Sequence, residues 1–395
     1  LAQVARRMGF AGFDWASPAE IFAEFAALSG VAGALGSDFD ISGLQDADYA
    51  ALAPVVWPQA AQKGGRFFGE GRFHTPDGRG RMIPVTARLP AAAPPDHPFR
   101  LNTGRVRDQW HTMTRTSLAP RLSQHLGEPY LQIHSADAAR LDLAPATLAE
   151  VTSPQGRAIL RVMVSDHVAP GHPFAPMHWT GETAPTGRID ALVAAVTDPV
   201  SGQPASKSTP VAIRPFAAAW YGFAVSRHNL NPDCDYWAKA FVKGGVQLEM
   251  AGSMTPTDWA AWAAHLFGAV PTAALSDPGR GLHRFAFSTD GQLHGAVFVA
   301  REPVLVSRGH LAGLLGQAER SALAGRPGAD QPDPGPTVCA CLNVGLNTIL
   351  RAIAGGTAPS VQALGEALGA GTNCGSCRPE LAALIDRHSH REAAE

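Results

Sequence analysis

Cysteine is nearly missing from most of this 395-residue chain, with Cys234 alone ahead of residue 339. That scarcity excludes a disulfide-stapled secreted scaffold. Neither sign of charge is in excess, since 32 Lys+Arg face 34 Asp+Glu for a formal net charge of -2. There is then no basic stripe to attract nucleic acid or an anionic bilayer. No apolar run reaches the length of a membrane span, and Leu1 to Phe13 reads as the inside of a domain rather than a start or a signal peptide. The expectation is a soluble, cytoplasmic C-terminal piece of a longer polypeptide, with no nucleic-acid and no membrane partner. The fifteen histidines are scattered and lack the His-x-x-x-His pair of a hydrolytic zinc site.

What is present is concentrated near the end. Cys339-x-Cys341 and Cys374-x-x-Cys377 hold four of the five cysteines in one short segment. Two close thiolate pairs suit a tetrahedral-sulfur metal site, iron–sulfur or zinc. A Cys-x-Cys pair is too cramped to bridge itself easily as a disulfide. Zinc ribbons usually carry two Cys-x-x-Cys knuckles on β-turns, whereas one pair here is Cys-x-Cys and the segment between is helical, which favours [2Fe-2S].

Asn343 is expected to cap a helix with Leu346, Ile349, Leu350 and Ile353 on one face. Ser360 caps a second and Pro379 begins a third. Three short helices bury too little to stand alone, so a cluster would staple them. The third helix N-terminus and Arg378 favour an anionic group there. A Pro/Gly stretch, Gly325 to Pro336, predicts a mobile tether before the module. Cys234 sits between Asp233 and Asp235, whose charges would raise its pKa and leave it structural.

Upstream, Ser17-Pro-Ala-Glu20 predicts a capped helix with Ile21, Phe22, Phe25 and Leu28 inward and Gly30 as its stop. Trp57-Pro58, the Gly/Arg-rich stretch 63–81 and the Pro-rich 84–98 follow. From about Phe99 to Pro215 short strands and tight turns predict a small β-barrel, with strands at Tyr130–His134, Ala149–Thr152 and Ile159–Val164 and a helix capped by Ser135. Two polar stretches stand out in it, Leu101 to Thr116, and His178-Trp179 with Asp198 to Lys207. Such donors on a flexible backbone suit phosphates, ribose and a purine edge, although ordinary surface turns share that composition. Ala217 to about Arg326 reads as α/β, with helices at Trp259–Phe267 and His310–Leu323 and strands around Asp290-Gly291. No catalytic constellation is visible.

Val338-Cys-Ala-Cys-Leu-Asn-Val344 with Ala370-Gly-Thr-Asn-Cys-Gly-Ser-Cys-Arg-Pro-Glu380 resembles the bacterioferritin-associated-ferredoxin-like [2Fe-2S] domain at the C-terminus of bacterial assimilatory nitrate reductases. Asn102-Thr-Gly-Arg105 and Gln109-Trp-His-Thr112 resemble the molybdopterin-dinucleotide segment of that molybdopterin oxidoreductase family, and His178-Trp179 with Asp198 to Lys207 its downstream part. Ala205 stands where that family's pattern has glutamate.

The resemblance implies a multidomain α+β chain: 1–98, the end of a molybdenum catalytic domain and a linker; 99–215, a double-psi β-barrel; 216–326, an α/β connector; 327–336, a linker; and 337–390, a small all-α [2Fe-2S] domain. It implies bis-molybdopterin guanine dinucleotide contacts at Asn102, Thr103, Gly104, Arg105, Gln109, Trp110, His111, Thr112, Thr114, His178, Trp179 and Lys207. The cluster ligands would be Cys339, Cys341, Cys374 and Cys377, and a [4Fe-4S] cluster would lie in an N-terminal part. Nitrate would be reduced to nitrite with electrons from a flavoprotein, ferredoxin or flavodoxin, the N-terminal molybdenum domains of the same polypeptide being the other partner. These residues supply no catalytic side chain and are not expected to reduce nitrate alone. Formate dehydrogenases share the barrel, and a stand-alone [2Fe-2S] or zinc module is the remaining alternative.

Overall fold

The computed structural model describes residues 1–34, 40–55, 68–69, 71–73, 75–84, 92–199, 201–318 and 322–392. Trp57-Pro58 and parts of the 63–81, 84–98 and 310–323 segments lie outside them. The chain packs as two compact units, Leu1–Leu89 and Pro90–Glu395.

In the first unit the helix Pro18–Ala34 begins as the capping chemistry requires. Ser17 Oγ accepts from the Glu20 N–H at 3.3 Å, and the Glu20 carboxylate accepts from the Ala16 N–H at 2.8 Å. Two expectations fail there. Gly30 lies inside the helix, where an added Cβ would meet the Ser42 Cβ at 2.7 Å, so its smallness admits a neighbour instead of stopping the turn. The inward face is Phe22, Ala26 and Ser29, while Ile21, Phe25 and Leu28 are about half exposed.

The second unit opens with six strands: β1 (Phe99–Gly104), β2 (Tyr130–Ile133), β3 (Leu148–Ser153), β4 (Gly156–Val164), β5 (Phe174–Pro176) and β6 (Thr209–Pro215). They close into a barrel in the order β1-β5-β2-β4-β3-β6, with β1–β5 and β2–β4 parallel. Alternating burial, as in Phe99, Leu101 and Thr103, fills the interior with Leu101, Leu131, Ile133, Val151 and Leu160. Each such side chain contributes roughly 1.5–3 kcal/mol by leaving water. The helix Ser135–Arg140 is capped by His134, whose Nδ1 accepts from the Ala136 N–H; Ser135 Oγ instead donates to Asp166.

Beyond the barrel, β7 (Trp220–Ser226), β8 (Tyr236–Val242), β9 (Gly245–Gly252), β10 (Ala273–Asp277), β11 (Leu282–Thr289) and β12 (Gln292–Ala300) form one antiparallel sheet in the order β10-β11-β12-β7-β9-β8. The expected helix Trp259–Phe267 is present, capped by Asp258. The one expected from His310 is shorter, Arg308–Gly313, because the chain turns at Gly316 with φ 76°. Barrel and sheet share a core that includes Met113, Ile159, Trp179, Phe223, Tyr236 and Phe298.

A buried charged network crosses the same boundary. Arg161 of β4 grips Glu128 through two bonds of 3.0 and 2.9 Å, and the Tyr236 hydroxyl donates to Glu128 at 2.7 Å. Glu249 of β9 lies 3.7 Å from Arg161 and accepts from Arg308. Burial pushes the Glu249 carboxyl up, while Arg308 opposes the shift.

The last module has helices Leu346–Ala354, Val361–Leu368 and Arg378–Glu392. It also contains a two-stranded ladder, Thr337–Cys339 with Val344–Gly345. Asn343 does not cap a helix; it takes a left-handed turn at φ 54° between the strands, and Gly345 is the N-cap. Ser360 does cap, accepting from the Ala363 N–H at 3.1 Å.

Nor is the Pro/Gly stretch a free tether. Asp333 accepts from Ser307 Oγ at 3.1 Å and from the Gly335 N–H at 2.9 Å, and its carbonyl accepts from Asn347 and Arg351. The sequence could not show this, because Asp333 and Ser307 meet across the fold.

Candidate functional site: a cofactor loop and a four-thiol centre

The polar segment starts where β1 leaves the barrel. Thr103 is buried, its Oγ1 donating to the Ser206 carbonyl at 2.9 Å, and Lys207 Nζ donates to the Thr103 carbonyl. Thr103 and the Ser206-Lys207 pair, a hundred residues apart, therefore meet in one wall. Gly104 leaves room for the Phe174 ring, whose edge would lie 2.7 Å from an added Cβ. Here a polar groove of about 740 Å³ opens, lined by Arg100, Asn102, Arg105 and Lys207 on one side and Tyr130 and Phe174 on the other. Three cations beside two aromatic rings suit a phosphate-bearing ligand with a flat base.

Arg105 also lies over the Trp110 ring at 4.6 Å, joining the groove to the following loop. In that loop Gln109 is buried and accepts from Thr116 Oγ1 at 2.7 Å, while Trp110, His111, Thr112 and Thr114 face solvent. His111 and Met113 both have positive φ, 45° and 60°, so the loop is held in a conformation that side-chain-bearing residues rarely adopt.

His178 does the holding. It is fully buried, Nε2 accepts from the Val106 N–H at 2.9 Å, and Nδ1 donates to the His111 carbonyl at 2.6 Å. Both ring nitrogens are thereby committed, and the neighbouring Trp179 is buried in the shared core. Burial, with smaller contributions from Arg105 and His111, holds the His178 pKa below its ordinary 6.5. As pH falls through that value the unfolded chain takes up the proton first. Stability from this contact is thus complete above about 6.5 and declines progressively below it. His178→Asn should melt lower than the native chain at pH 7.5 and lose less on moving to pH 5.5. Equal losses would remove His178 as the source.

Arg100, Tyr130 and Phe174 were not singled out by sequence. β5 brings Phe174 beside Asn102 by parallel pairing, which leaves no local signature.

The thiols gather on the ladder turn and the loop before the last helix. Cys339 and Cys341 Sγ are 3.8 Å apart, Cys341 and Cys374 Sγ 3.7 Å, and Cys377 hydrogen-bonds Cys339. Tetrahedral edges with metal–sulfur bonds of about 2.3 Å are ~3.8 Å long, so the spacing fits sulfur ligation. Among the described residues no three Cys, His or acidic side chains converge as a single-ion site; the sulfurs form an extended set.

Burial would raise the Cys339 pKa, but hydrogen bonds from the Gly371 and Leu342 backbone and from Cys341 and Cys377 outweigh it and hold it below the usual thiol value. Cys377 is pushed up to about 11 by burial and then by Cys339, with Arg107 opposing. Ligation would therefore displace a proton readily at Cys339 and against a larger cost at Cys377. Cys339 and Cys377 are buried and Cys374 is exposed, so the centre has one covered and one open edge. Cys234 is apart from them, its pKa pushed up to about 12 chiefly by burial and only secondarily by Asp235 and Asp233.

A cationic groove with aromatic rings on a barrel, packed in one unit with a four-thiol centre, suits a protein that joins a dinucleotide to a sulfur-ligated metal. Residues 99–210 match the molydopterin dinucleotide binding domain, and 337–387 match the BFD-like [2Fe-2S] binding domain. The chain carries both of these matches and is similar to proteins named nitrate reductase.

It is 39% identical to a nitrate reductase of Klebsiella oxytoca over 98% of its own length and 45% of that protein. It is 28% identical to the assimilatory nitrate reductase catalytic subunit of Bacillus subtilis over 51% of this chain and 28% of that one. It is also 31% identical to the F420-dependent formate dehydrogenase subunit alpha of Methanocaldococcus jannaschii over 32% of this chain and 19% of that one. The chain thus spans less than half of each relative. The donor sets described above fit the two cofactors these domains bind, a molybdopterin dinucleotide and a [2Fe-2S] cluster.

Proposed function

We propose that this chain is the cofactor-holding and electron-entry portion of a molybdenum-dependent assimilatory nitrate reductase. The observation that carries the reading is the four-thiol centre packed in one unit with the Arg105–Trp110 loop, in a chain 39% identical to a nitrate reductase over nearly its whole length. When bound, the molybdopterin guanine dinucleotide supplies the metal at which nitrate gives up an oxygen atom, nitrate plus two electrons and two protons yielding nitrite and water.

This chain's residues bind and orient. Arg105 and Lys207 meet the dinucleotide's phosphates with charge, Trp110 offers a flat face, and Thr112, Thr114 and His111 add donors. His178, Trp179 and Gln109 act from behind by fixing the loop. Cys339, Cys341, Cys374 and Cys377 hold the cluster that receives electrons one at a time from a flavoprotein, ferredoxin or flavodoxin. The oxygen-transfer step and a further [4Fe-4S] cluster belong to molybdenum domains of the same polypeptide, in the cytoplasm.

The purified full chain should contain two irons and two acid-labile sulfides and give a paramagnetic signal on one-electron reduction. A colourless, zinc-loaded chain would overturn the reading. In a polypeptide that includes the molybdenum domains, nitrite should form from nitrate. Formate oxidation in its place would favour the formate dehydrogenase likeness.

A further inference from the structure

Arg107 lies inside the cofactor loop, between Arg105 and Gln109, yet it points to the other centre. Its Nη1 donates to Glu380 Oε2 at 2.6 Å, its Nη2 donates to the Val338 carbonyl, and its Nε lies 3.2 Å from Asp108. Arg121, in the short helix Pro120–Ser123 that follows the loop, donates to the Cys341 carbonyl at 3.0 Å. The two carbonyls bracket the Cys339-Ala-Cys341 turn. Around them His125 Nδ1 is 2.6 Å from Asp108 and its Nε2 is 3.7 Å from Glu380. Arg107 is less than one-fifth exposed.

We propose that Arg107 is a positioning residue which seats the iron–sulfur module on the dinucleotide-binding loop and biases its cluster toward the reduced state. The inference rests on the cofactor reading above. A guanidinium keeps its charge at every working pH, and its planar fork can engage a carboxylate and a carbonyl at once, which an ammonium cannot match. Reduction adds a negative charge to a group that is already anionic, so a fixed cation beside it favours the reduced form. Net charge and hydrogen bonding are what set such potentials. One side chain thus links the 102–114 loop to the Cys339–Cys341 turn, and a cluster held there would be exposed at Cys374 and covered at Cys339 and Cys377.

The two ends of the Arg107–Glu380 pair give opposite expectations. With the full chain, the reduction potential is read from the paramagnetic signal during titration with dithionite. Arg107→Gln should lower it, and Glu380→Gln, which breaks the same bond but removes a negative charge, should raise it. Arg107→Lys, retaining charge without the fork, should stay closer to native than the glutamine variant. Shifts of the same sign in Arg107→Gln and Glu380→Gln, or no shift in either, would reduce the pair to a structural contact and overturn the proposal. Should Arg107→Gln lose its cluster, Arg107→Lys and Glu380→Gln carry the test. A native chain without any [2Fe-2S] signal would instead remove the cofactor reading itself.

Discussion

Replacing Cys374 with serine should abolish the two-iron signal and the visible colour while the barrel and sheet keep their unfolding transition. Cys374 is exposed and touches Cys341 Sγ at 3.7 Å and Ser376 Oγ at 3.1 Å, so the change removes a ligand without opening a cavity. A serine hydroxyl does not ionise as a thiol does, and the set of four is broken. The module depends on that set, because its fully buried core is small and two of its ten residues are the cysteines Cys339 and Cys377 themselves. Small domains of this kind draw on the order of 10 kcal/mol from a structural metal. The 337–387 segment should therefore become the first site of proteolysis. In a polypeptide that includes the proposed molybdenum domains, nitrate reduction driven by a protein donor should vanish, whereas a small artificial reductant that reaches molybdenum directly should still support it. Loss of both in a folded variant would refute the entry role, and a persisting signal would refute the ligand assignment.

The second large effect belongs to stability. Arg161→Met should cost about 3–5 kcal/mol, because it strips half-buried Glu128 of its cation, leaving it the Tyr236 hydroxyl, and leaves buried Glu249 to Arg308. Arg161 makes two bonds to Glu128, a third to the Ala146 carbonyl at 2.9 Å, and an ion pair with Glu249. Those groups come from the barrel and the sheet, so the loss should fall on their joint unfolding and be read as a lowered midpoint in urea. Adding Glu128→Gln to Arg161→Met should recover part of it by removing one stranded charge. A change below about 1 kcal/mol would show that water reaches the network and screens it.

Local chemistry was legible in the sequence. The capping box at Ser17, the Asp290-Gly291 turn, Ser360 and the cysteine spacing each act within a few residues, and the polar motif of 102–114 sits together because it is one loop. What escaped was set by distance. Arg107 and Glu380 are 273 residues apart, and no pattern within either segment announces the other. In the six-stranded sheet the β11–β12 hairpin around Asp290-Gly291 was legible, but β7 was hidden for a different reason. In β7, Trp220–Ser226 is buried at every position, so the alternation that marks a strand is absent and the run cannot be told from a buried helix. The expected inward face of the first-unit helix failed similarly, since apolar residues occupy both sides and the sequence does not rank them.

Asp333 gives the iron–sulfur module a fixed address. A carrier on a loose tether works by diffusion, and its rate follows solvent friction and tether length. This one is instead held at its root by bonds from Ser307, Asn347 and Arg351 to Asp333. For the proposed relay, throughput is governed by a constant separation and a difference in potential, and the only diffusive encounter left is the arrival of the donor.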